Sequence, residues 1–117
     1  MPVLVEQFVV VGSDSDARQA AELWRFIPKA FETYYGIRDP AEIQRRAQAE
    51  IPIDRILHGW PIGTEPEIHI KAIDRLFDSG ATIVNVHAGQ SDQKRVIDFY
   101  RSQVMPGLKP RPGAARR

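Results

Sequence analysis

The sequence contains no cysteine, which excludes disulfide bonds and thiolate chemistry. It has no apolar run approaching the roughly 20 residues that cross a bilayer, so we expect no membrane partner. The N-terminal segment MPVLV shows no basic stretch followed by an apolar stretch and a small-residue cleavage site, as a secretory signal would. These absences predict a cytoplasmic protein.

The chain also lacks a strong excess of one charge, since its formal net charge is +1. The cations Lys109, Arg111, Arg116 and Arg117 lie in the last nine residues, so the rest of the chain is slightly acidic. Nucleic-acid binding usually needs a basic face on the folded domain, and we therefore expect no nucleic-acid partner. We divide the chain into a folded segment, residues 1–108, and a disordered basic tail, residues 109–117.

Two common ligand-binding patterns are absent. Gly12 is followed by no second glycine before Gly36, which excludes a glycine-rich dinucleotide fingerprint or phosphate loop in this region. The histidines His58, His69 and His87 are 11 and 18 residues apart, not at the i, i+4 spacing that places two imidazoles on one helical face. We expect no metal site, and we expect His69 to lie on the charged, solvated side of its helix.

The apolar pattern predicts alternating strands and helices. A valine-rich segment and two later segments predict strands near 4–12, 58–62 and 82–87. Helical spacing predicts crossover helices near 14–34, 65–79 and 91–104, with an extra helix near 40–50 outside the repeat. This order implies a parallel sheet with right-handed crossovers, an α/β fold of about three βα units.

Several residue pairs predict where the helices begin and end. Asp39-Pro40 is typical of an N-cap followed by proline at the first helical position. Thr64 and Glu67 have the spacing of a reciprocal capping box. Ser91 is expected to cap the last helix, and Gly80 to close the helix before it in a left-handed conformation.

The segment GSDSD, residues 12–16, permits two interpretations. After a strand and before a helix, it resembles the opening of the aminoimidazole ribonucleotide carboxylase or mutase family. That family would need a further loop such as Ser-Ala-His-Arg-Thr-Pro, which this sequence does not contain. Helix capping by the oxygen side chains explains the same residues without a ligand and is the favoured interpretation.

Motifs along nearly the whole chain carry a different resemblance. The most informative stretch, residues 80–108, contains GAT, VHAGQ, DQ, RVI, FY and VMPGL in that order. Earlier matches are Asp16-Ala17, the LWRF of 23–26, Asp39-Pro40, Ile43-Gln44, the IPI of 51–53, Trp60 and the EPE of 65–67. By order and spacing, the chain resembles the C-terminal part of the luciferase-like, coenzyme F420-dependent oxidoreductases, in their glucose-6-phosphate dehydrogenase-like group.

The resemblance implies a partial (β/α)8 TIM barrel, because a whole barrel takes about 250 residues. It implies coenzyme F420 as the cofactor of the parent family, with a hydride passing between a substrate alcohol carbon and the deazaflavin. The family's cofactor-binding and acid-base residues lie mostly on earlier strands, so no catalytic or cofactor-binding residue of this chain can be assigned. We expect the chain alone neither to bind F420 nor to hold a complete active site.

The same resemblance also implies something about the substrate. The family's sugar-phosphate enzymes hold the phosphate with a lysine and an arginine, and here those positions correspond to Tyr35 and Gly59. Losing both cations removes the charge-assisted bonds that recognise a phosphate, so we expect a different substrate.

His87 and Trp60 are the substrate-side candidates. His87 ends a strand, where the loops of a barrel build its active site; alternatively it is a structural histidine that fixes the turn at Ala88-Gly89. Trp60, like Trp24, is more typical of a core than of cofactor stacking.

Three functions remain open from the sequence. The first is a C-terminal segment of an F420-dependent oxidoreductase, whose partner is a missing N-terminal part of the barrel or a second copy of this chain. The second is a non-catalytic assembly or binding module derived from that fold. The third, a purine-pathway carboxylase relative, depends on residues 12–16 alone.

Overall fold

A computed structural model describes residues 1–30 and 33–111. Strand β1 is followed by four helices, strand β2 and a fifth helix, whose bounds are β1 Leu4–Val9, α1 Asp14–Leu23, α2 Pro40–Glu50, α3 Ile53–Leu57, α4 Pro66–Asp78, β2 Ile83–Ala88 and α5 Gln93–Phe99. A 3-10 turn covers Ile27–Lys29, and α5 continues as a π-helical turn, Tyr100–Val104, and a 3-10 turn, Met105–Gly107. None of the described helices combines the length and apolarity needed to span a membrane.

The two strands pair in parallel, from Leu4 opposite Ile83 to Val9 opposite Ala88. This confirms the predicted parallel orientation of the strands, and with it the α/β fold class. The predicted strand at 58–62 is wrong, because only Ile62 forms a bridge, to Val10 on the other edge of β1. Helix α3 runs up to that segment and Pro61 has no backbone N–H to donate, so a ladder cannot extend there.

Helix α1 is shorter than predicted. The sequence pattern predicted one helix over 14–34, whereas α1 ends at Leu23 and the chain turns before a 3-10 turn that contains Pro28. Proline removes a helical donor and clashes with the preceding turn, which explains why the helix does not continue. Residues 31–32 lie outside the described part of the chain.

Two of the predicted helix starts are confirmed. Ser13 Oγ accepts a hydrogen bond from Asp16 N at 3.2 Å, and Asp16 Oδ2 accepts one from Ser13 N at 2.9 Å, so the segment 12–16 is a capping box. These bonds from Ser13 lower the pKa of Asp16. Asp39 caps α2 by accepting from Ala41 N at 3.0 Å, with Pro40 in the first turn.

Two other predicted caps are wrong. Helix α4 starts from Glu65 without any side-chain cap, and Thr64 takes no part. Pro66 supplies the first-turn geometry and has no N–H to satisfy, which lowers the need for a cap. Helix α5 is capped by Asp92, not Ser91, because the Asp92 carboxylate accepts from Arg95 N at 3.1 Å.

The interior is divided between the sheet and a separate helical layer. One face of the sheet, with Val9 and Val11, packs against α4, α5 and the π-helical turn. Helices α1, α2 and α3 share their own cluster around Ala47 and Ile51, which contains no strand residue. Helix α2 therefore lies outside the βα repeat, as predicted.

The start of the predicted disordered tail is held against α4. Arg111 Nη2 lies 3.0 Å from Asp74 Oδ1, and Arg111 Nη1 lies 3.1 Å from Asp78 Oδ1. Lys109 N also donates to Asp74 Oδ1 at 3.2 Å. Residues 112–117 lie outside the described part of the chain, and their disorder stays a prediction.

Candidate functional site

A stack of aromatic rings lies on the sheet near the C-terminal ends of β1 and β2. The strand register places Phe8 opposite His87, and their rings stack with centroids 5.0 Å apart and planes 17° apart. The Phe8 ring also stacks with Trp60, at 5.4 Å and 14°, and meets Trp24 in a tilted contact at 5.0 Å. The structure therefore brings both predicted site residues, His87 and Trp60, into one cluster around Phe8.

His87 is paired with a carboxylate that the sequence interpretation did not select. Its Nε2 lies 2.6 Å from Glu6 Oε2. Glu6 lies on the same face of β1 as Phe8, because the two are two residues apart on the strand. An ionised carboxylate only accepts hydrogen bonds, so His87 Nε2–H is the donor. The His87 side chain is 40% exposed, and its Nδ1 has no hydrogen-bond partner among the residues that the structure describes.

The turn after β2 is held by other residues than His87. Trp24 Nε1 donates to Gly89 O at 3.0 Å, and Gly89 N donates to Val9 O at 2.9 Å. Gln90 satisfies both backbone hydrogen-bonding groups of Val11. Its Oε1 accepts from Val11 N at 2.6 Å, and its Nε2 donates to Val11 O at 3.1 Å. The alternative role considered for His87, fixing this turn, is thus performed by Trp24 and Gln90.

Gly89 leaves almost no room for a side chain. A Cβ at this position would lie 3.1 Å from the Trp60 ring and 3.3 Å from Val9 O. Close approach of the turn to the indole is therefore possible because residue 89 is glycine.

We predict that Gly89→Ala lowers the free energy of unfolding by about 1–3 kcal/mol, the range for overpacking a filled interior. Urea unfolding followed by tryptophan fluorescence measures the change. Gly36→Ala is the matched control, because a Cβ there meets nothing within 4 Å. Equal stability of the two variants would contradict the tight packing of Gly89 against Trp60.

Two concave regions border the aromatic cluster. The smaller is a cavity of about 320 Å³ lined by Glu6, Gln7, Phe8, Trp24, Ile27, Pro28, Arg55, Ile56, Gly59 and Trp60. The larger, which we call the β2 groove, measures about 820 Å³ and is lined by residues of β2, α4, α5 and the C-terminal helical turns, together with Trp24. His87 lines the groove, while its partner Glu6 lines the cavity, so the pair lies between the two.

The two positions that the sequence resemblance matches to phosphate-binding cations, Gly59 and Tyr35, are open or exposed. Gly59 lines the smaller cavity, and a Cβ there would meet nothing within 4 Å. Tyr35 is 79% exposed and does not line that cavity.

The other two histidines lie apart from the cluster. His58 is exposed at the end of α3. The prediction that His69 is solvated is wrong, because it is 0% exposed. Its Nδ1 lies 2.7 Å from the Tyr100 hydroxyl and its Nε2 3.0 Å from Gly63 O. Among residues 1–30 and 33–111, no group of three or more acidic or histidine side chains is placed to hold a metal ion.

No protein-family model matches the chain. It is 42% identical over 104 residues to an F420-dependent hydroxymycolic acid dehydrogenase of Mycobacterium tuberculosis, which covers 89% of this chain and 27% of that protein. It is 30% identical over 110 residues to an F420-dependent glucose-6-phosphate dehydrogenase of Nakamurella multipartita, covering 93% of this chain and 32% of that protein.

The fold is also found in a solved structure. An F420-dependent secondary alcohol dehydrogenase, in complex with an F420-acetone adduct, superposes with a TM-score of 0.75 at 22% identity, covering 94% of this chain and 33% of that one. The chain thus spans about a quarter to a third of the length of the relatives it matches. Its parallel strands and crossover helices correspond to a fragment of their barrel. The chain is therefore a homologue of a segment of the luciferase-like, F420-dependent oxidoreductases.

Proposed function

We propose that this chain forms the substrate side of an F420-dependent oxidoreductase that transfers a hydride between the deazaflavin and an alcohol or carbonyl carbon. The observation that carries the proposal is the 42% identity over 89% of the chain to an enzyme of that chemistry. The activity needs the remaining strands of the barrel, which on this proposal come from an N-terminal portion.

The residues of the site favour contact with substrate over contact with cofactor. The Phe8 ring stacks with His87 and with Trp60, so these rings occupy one another's faces and do not frame an open slot for the planar deazaflavin. Beyond the hydrogen bond between them, the Glu6–His87 pair offers the second carboxylate oxygen of Glu6 and Nδ1 of His87. These groups suit a hydroxyl group better than a flat heterocycle. When bound, the coenzyme supplies the hydride acceptor.

The cavity beside the cluster points to an alcohol with an apolar body. Its walls are mainly aromatic and aliphatic, with Arg55 and Glu6 as the charged side chains. Because Tyr35 and Gly59 stand in place of the two phosphate-binding cations, a sugar phosphate would find neither charge-assisted contact. The substrate named for the hydroxymycolic acid dehydrogenase is a hydroxylated lipid, which fits this description.

A chimaera tests the proposal. We expect that replacing the homologous segment of the M. tuberculosis hydroxymycolic acid dehydrogenase by this chain gives an enzyme that reduces F420 with hydroxymycolic acid. Turnover should remain within about tenfold of the parent enzyme, or about 1.4 kcal/mol of activation free energy. The loss of F420 fluorescence reports the reaction.

Two controls accompany the chimaera. The isolated chain and the parent enzyme without the segment should each give no turnover, and glucose 6-phosphate should not be oxidised by the chimaera. A folded chimaera that binds F420 but has no turnover would contradict the proposed function.

A non-catalytic binding module is the second candidate. The β2 groove favours it, because an apolar concave surface of about 820 Å³ is suited to holding another polypeptide. An inactive chimaera together with a stable complex of the isolated chain would support this candidate.

A further inference from the structure

The pair formed by Glu6 and His87 has a geometry that defines which nitrogen of the imidazole carries the proton. Glu6 lies on β1 two residues before Phe8, and Phe8 is opposite His87 in the register. Side chains two residues apart on a strand share a face, so the carboxylate reaches the imidazole diagonally across the sheet. The 2.6 Å contact joins Glu6 Oε2 to His87 Nε2.

The aromatic stack restricts the orientation of the imidazole. The ring lies nearly parallel to Phe8, at 17°, and Phe8 lies nearly parallel to Trp60, at 14°. Trp60 is in turn fixed by the close approach of Gly89. Packing against Phe8 therefore fixes the plane of the His87 ring, and the hydrogen bond to the carboxylate fixes which ring nitrogen faces Glu6. The side chain is nevertheless 40% exposed.

We propose that Glu6 is a positioning residue that holds His87 as the Nε2–H tautomer, so that Nδ1 accepts a hydrogen bond from the hydroxyl group of a secondary alcohol with an apolar body. In this tautomer Nδ1 carries a lone pair and is an acceptor only. The alcohol's carbon chain lies against Trp24, which lines the β2 groove together with His87 and also borders the cavity next to Glu6. This inference rests on the proposed function and names the substrate class of that site.

The chemistry of the contact separates an alcohol from its ketone. An alcohol O–H donates to Nδ1, whereas a ketone oxygen can only accept and meets a lone pair there. The site therefore favours the alcohol, and exchange of the proton between the two ring nitrogens would remove the preference, because alcohol and ketone oxygens both accept from an N–H group. By keeping the proton on Nε2, Glu6 makes the site selective for the alcohol over the ketone.

The test uses the 117-residue chain with ¹⁵N-labelled histidine and long-range N–H correlation spectra. We expect His87 to show the Nε2–H pattern, and Glu6→Ala to give a mixture of the two tautomers. Glu67→Ala, at an exposed carboxylate in the first turn of α4, should leave the His87 pattern unchanged. A His87 tautomer that is the same with and without Glu6 would overturn the positioning role.

The ligand arm of the test compares 2-octanol with 2-octanone. We expect 2-octanol to shift the His87 Nδ1 signal and the indole signal of Trp24, and 2-octanone to leave Nδ1 unshifted. Equal shifts at Nδ1 with both probes would show that no hydroxyl is recognised there, and would overturn the inference.

The chimaera separates this inference from the proposed function. In it, Glu6→Ala should raise the KM for the alcohol by about three- to tenfold, the range for one hydrogen bond, with a smaller change in kcat. An active chimaera whose KM does not change in Glu6→Ala would refute the inference alone. An inactive chimaera, combined with the alcohol-specific shift at Nδ1 in the isolated chain, would refute the proposed function and leave the hydroxyl site standing.

Discussion

Replacing His69 by alanine is expected to lower the free energy of unfolding by about 3 kcal/mol. The imidazole is completely buried, and its two nitrogens bond the Tyr100 hydroxyl and Gly63 O. Removing it leaves a cavity and two polar groups without partners, and unsatisfied buried groups cost about 1–3 kcal/mol each. Urea unfolding of the chain measures the loss, and His58→Ala, at an exposed histidine, is the matched control that should change stability little.

The pH dependence of stability distinguishes the buried histidine from a merely space-filling one. Burial lowers the pKa of His69 below its usual 6.5, so the unfolded chain binds the proton more readily than the folded chain. Neutral His69 contributes its full stabilisation above about pH 6.5, and this stabilisation is lost as the pH falls through the lowered pKa of His69 in the folded state. We expect this acid-dependent loss to be smaller in His69→Gln than in the wild type. Identical pH profiles would show that His69 is not held neutral in the folded protein.

The helical pattern of α4 determines the burial of His69 but not its hydrogen-bond partner. His69 lies four residues before Ile73 and seven before Leu76, so helical spacing places it on the buried side of α4, and the prediction of a solvated side chain chose the wrong face. The π-helical turn at Tyr100–Val104 brings the Tyr100 hydroxyl to the imidazole from 31 residues further along the chain. Burial also raises the pKa of Tyr100, which keeps its phenol a hydrogen-bond donor. A partner so distant in sequence gives no periodic signal.

The strands and most helices could be predicted because their signals are local. Valine-rich segments predict buried parallel strands, and oxygen side chains before a helix satisfy free amides, as Ser13 and Asp39 do. The segment 58–62 failed because apolar residues between Gly59 and Pro61 can serve a turn as well as a strand. In the structure this segment supplies Trp60 to the aromatic cluster and Ile62 to the bridge.

The candidate site was predictable in part for the same reason. The selection of His87 follows from its place at the end of a strand. The contact between Glu6 and His87 depends instead on the register between two strands that are 79 residues apart. No pattern within β1 distinguishes Glu6 from a solvated carboxylate. The resemblance to the F420-dependent enzymes predicts a substrate-side role for His87, and the structure added its carboxylate partner.

The second large effect that we expect is self-association of the isolated chain. Among the described residues, β2 pairs with β1 on one edge only, so its other edge presents unpaired backbone groups beside the apolar β2 groove. Ile83 is 52% exposed, Ile97 62% and Met105 61%, and burying one such side chain contributes about 1.5–3 kcal/mol. A second copy that covers this groove would recover the contributions of Ile97 and Met105, which line it. Sedimentation velocity over a concentration series should therefore show a reversible shift from monomer to dimer.

A charge in the groove tests whether this surface mediates the association. Ile97→Lys places an ammonium among apolar side chains of the groove, so we expect the dissociation constant to rise at least about tenfold, which corresponds to about 1.4 kcal/mol. Leu23→Lys is the matched control, because Leu23 is 57% exposed on α1 and does not line the groove. If both variants dimerise like the wild type, or if the wild-type chain unfolds cooperatively as a monomer at high concentration, the groove is not a self-association surface. Dimerisation that Ile97→Lys weakens and Leu23→Lys does not would place the contact at the free edge of β2, because that edge and Ile97 border the same apolar surface.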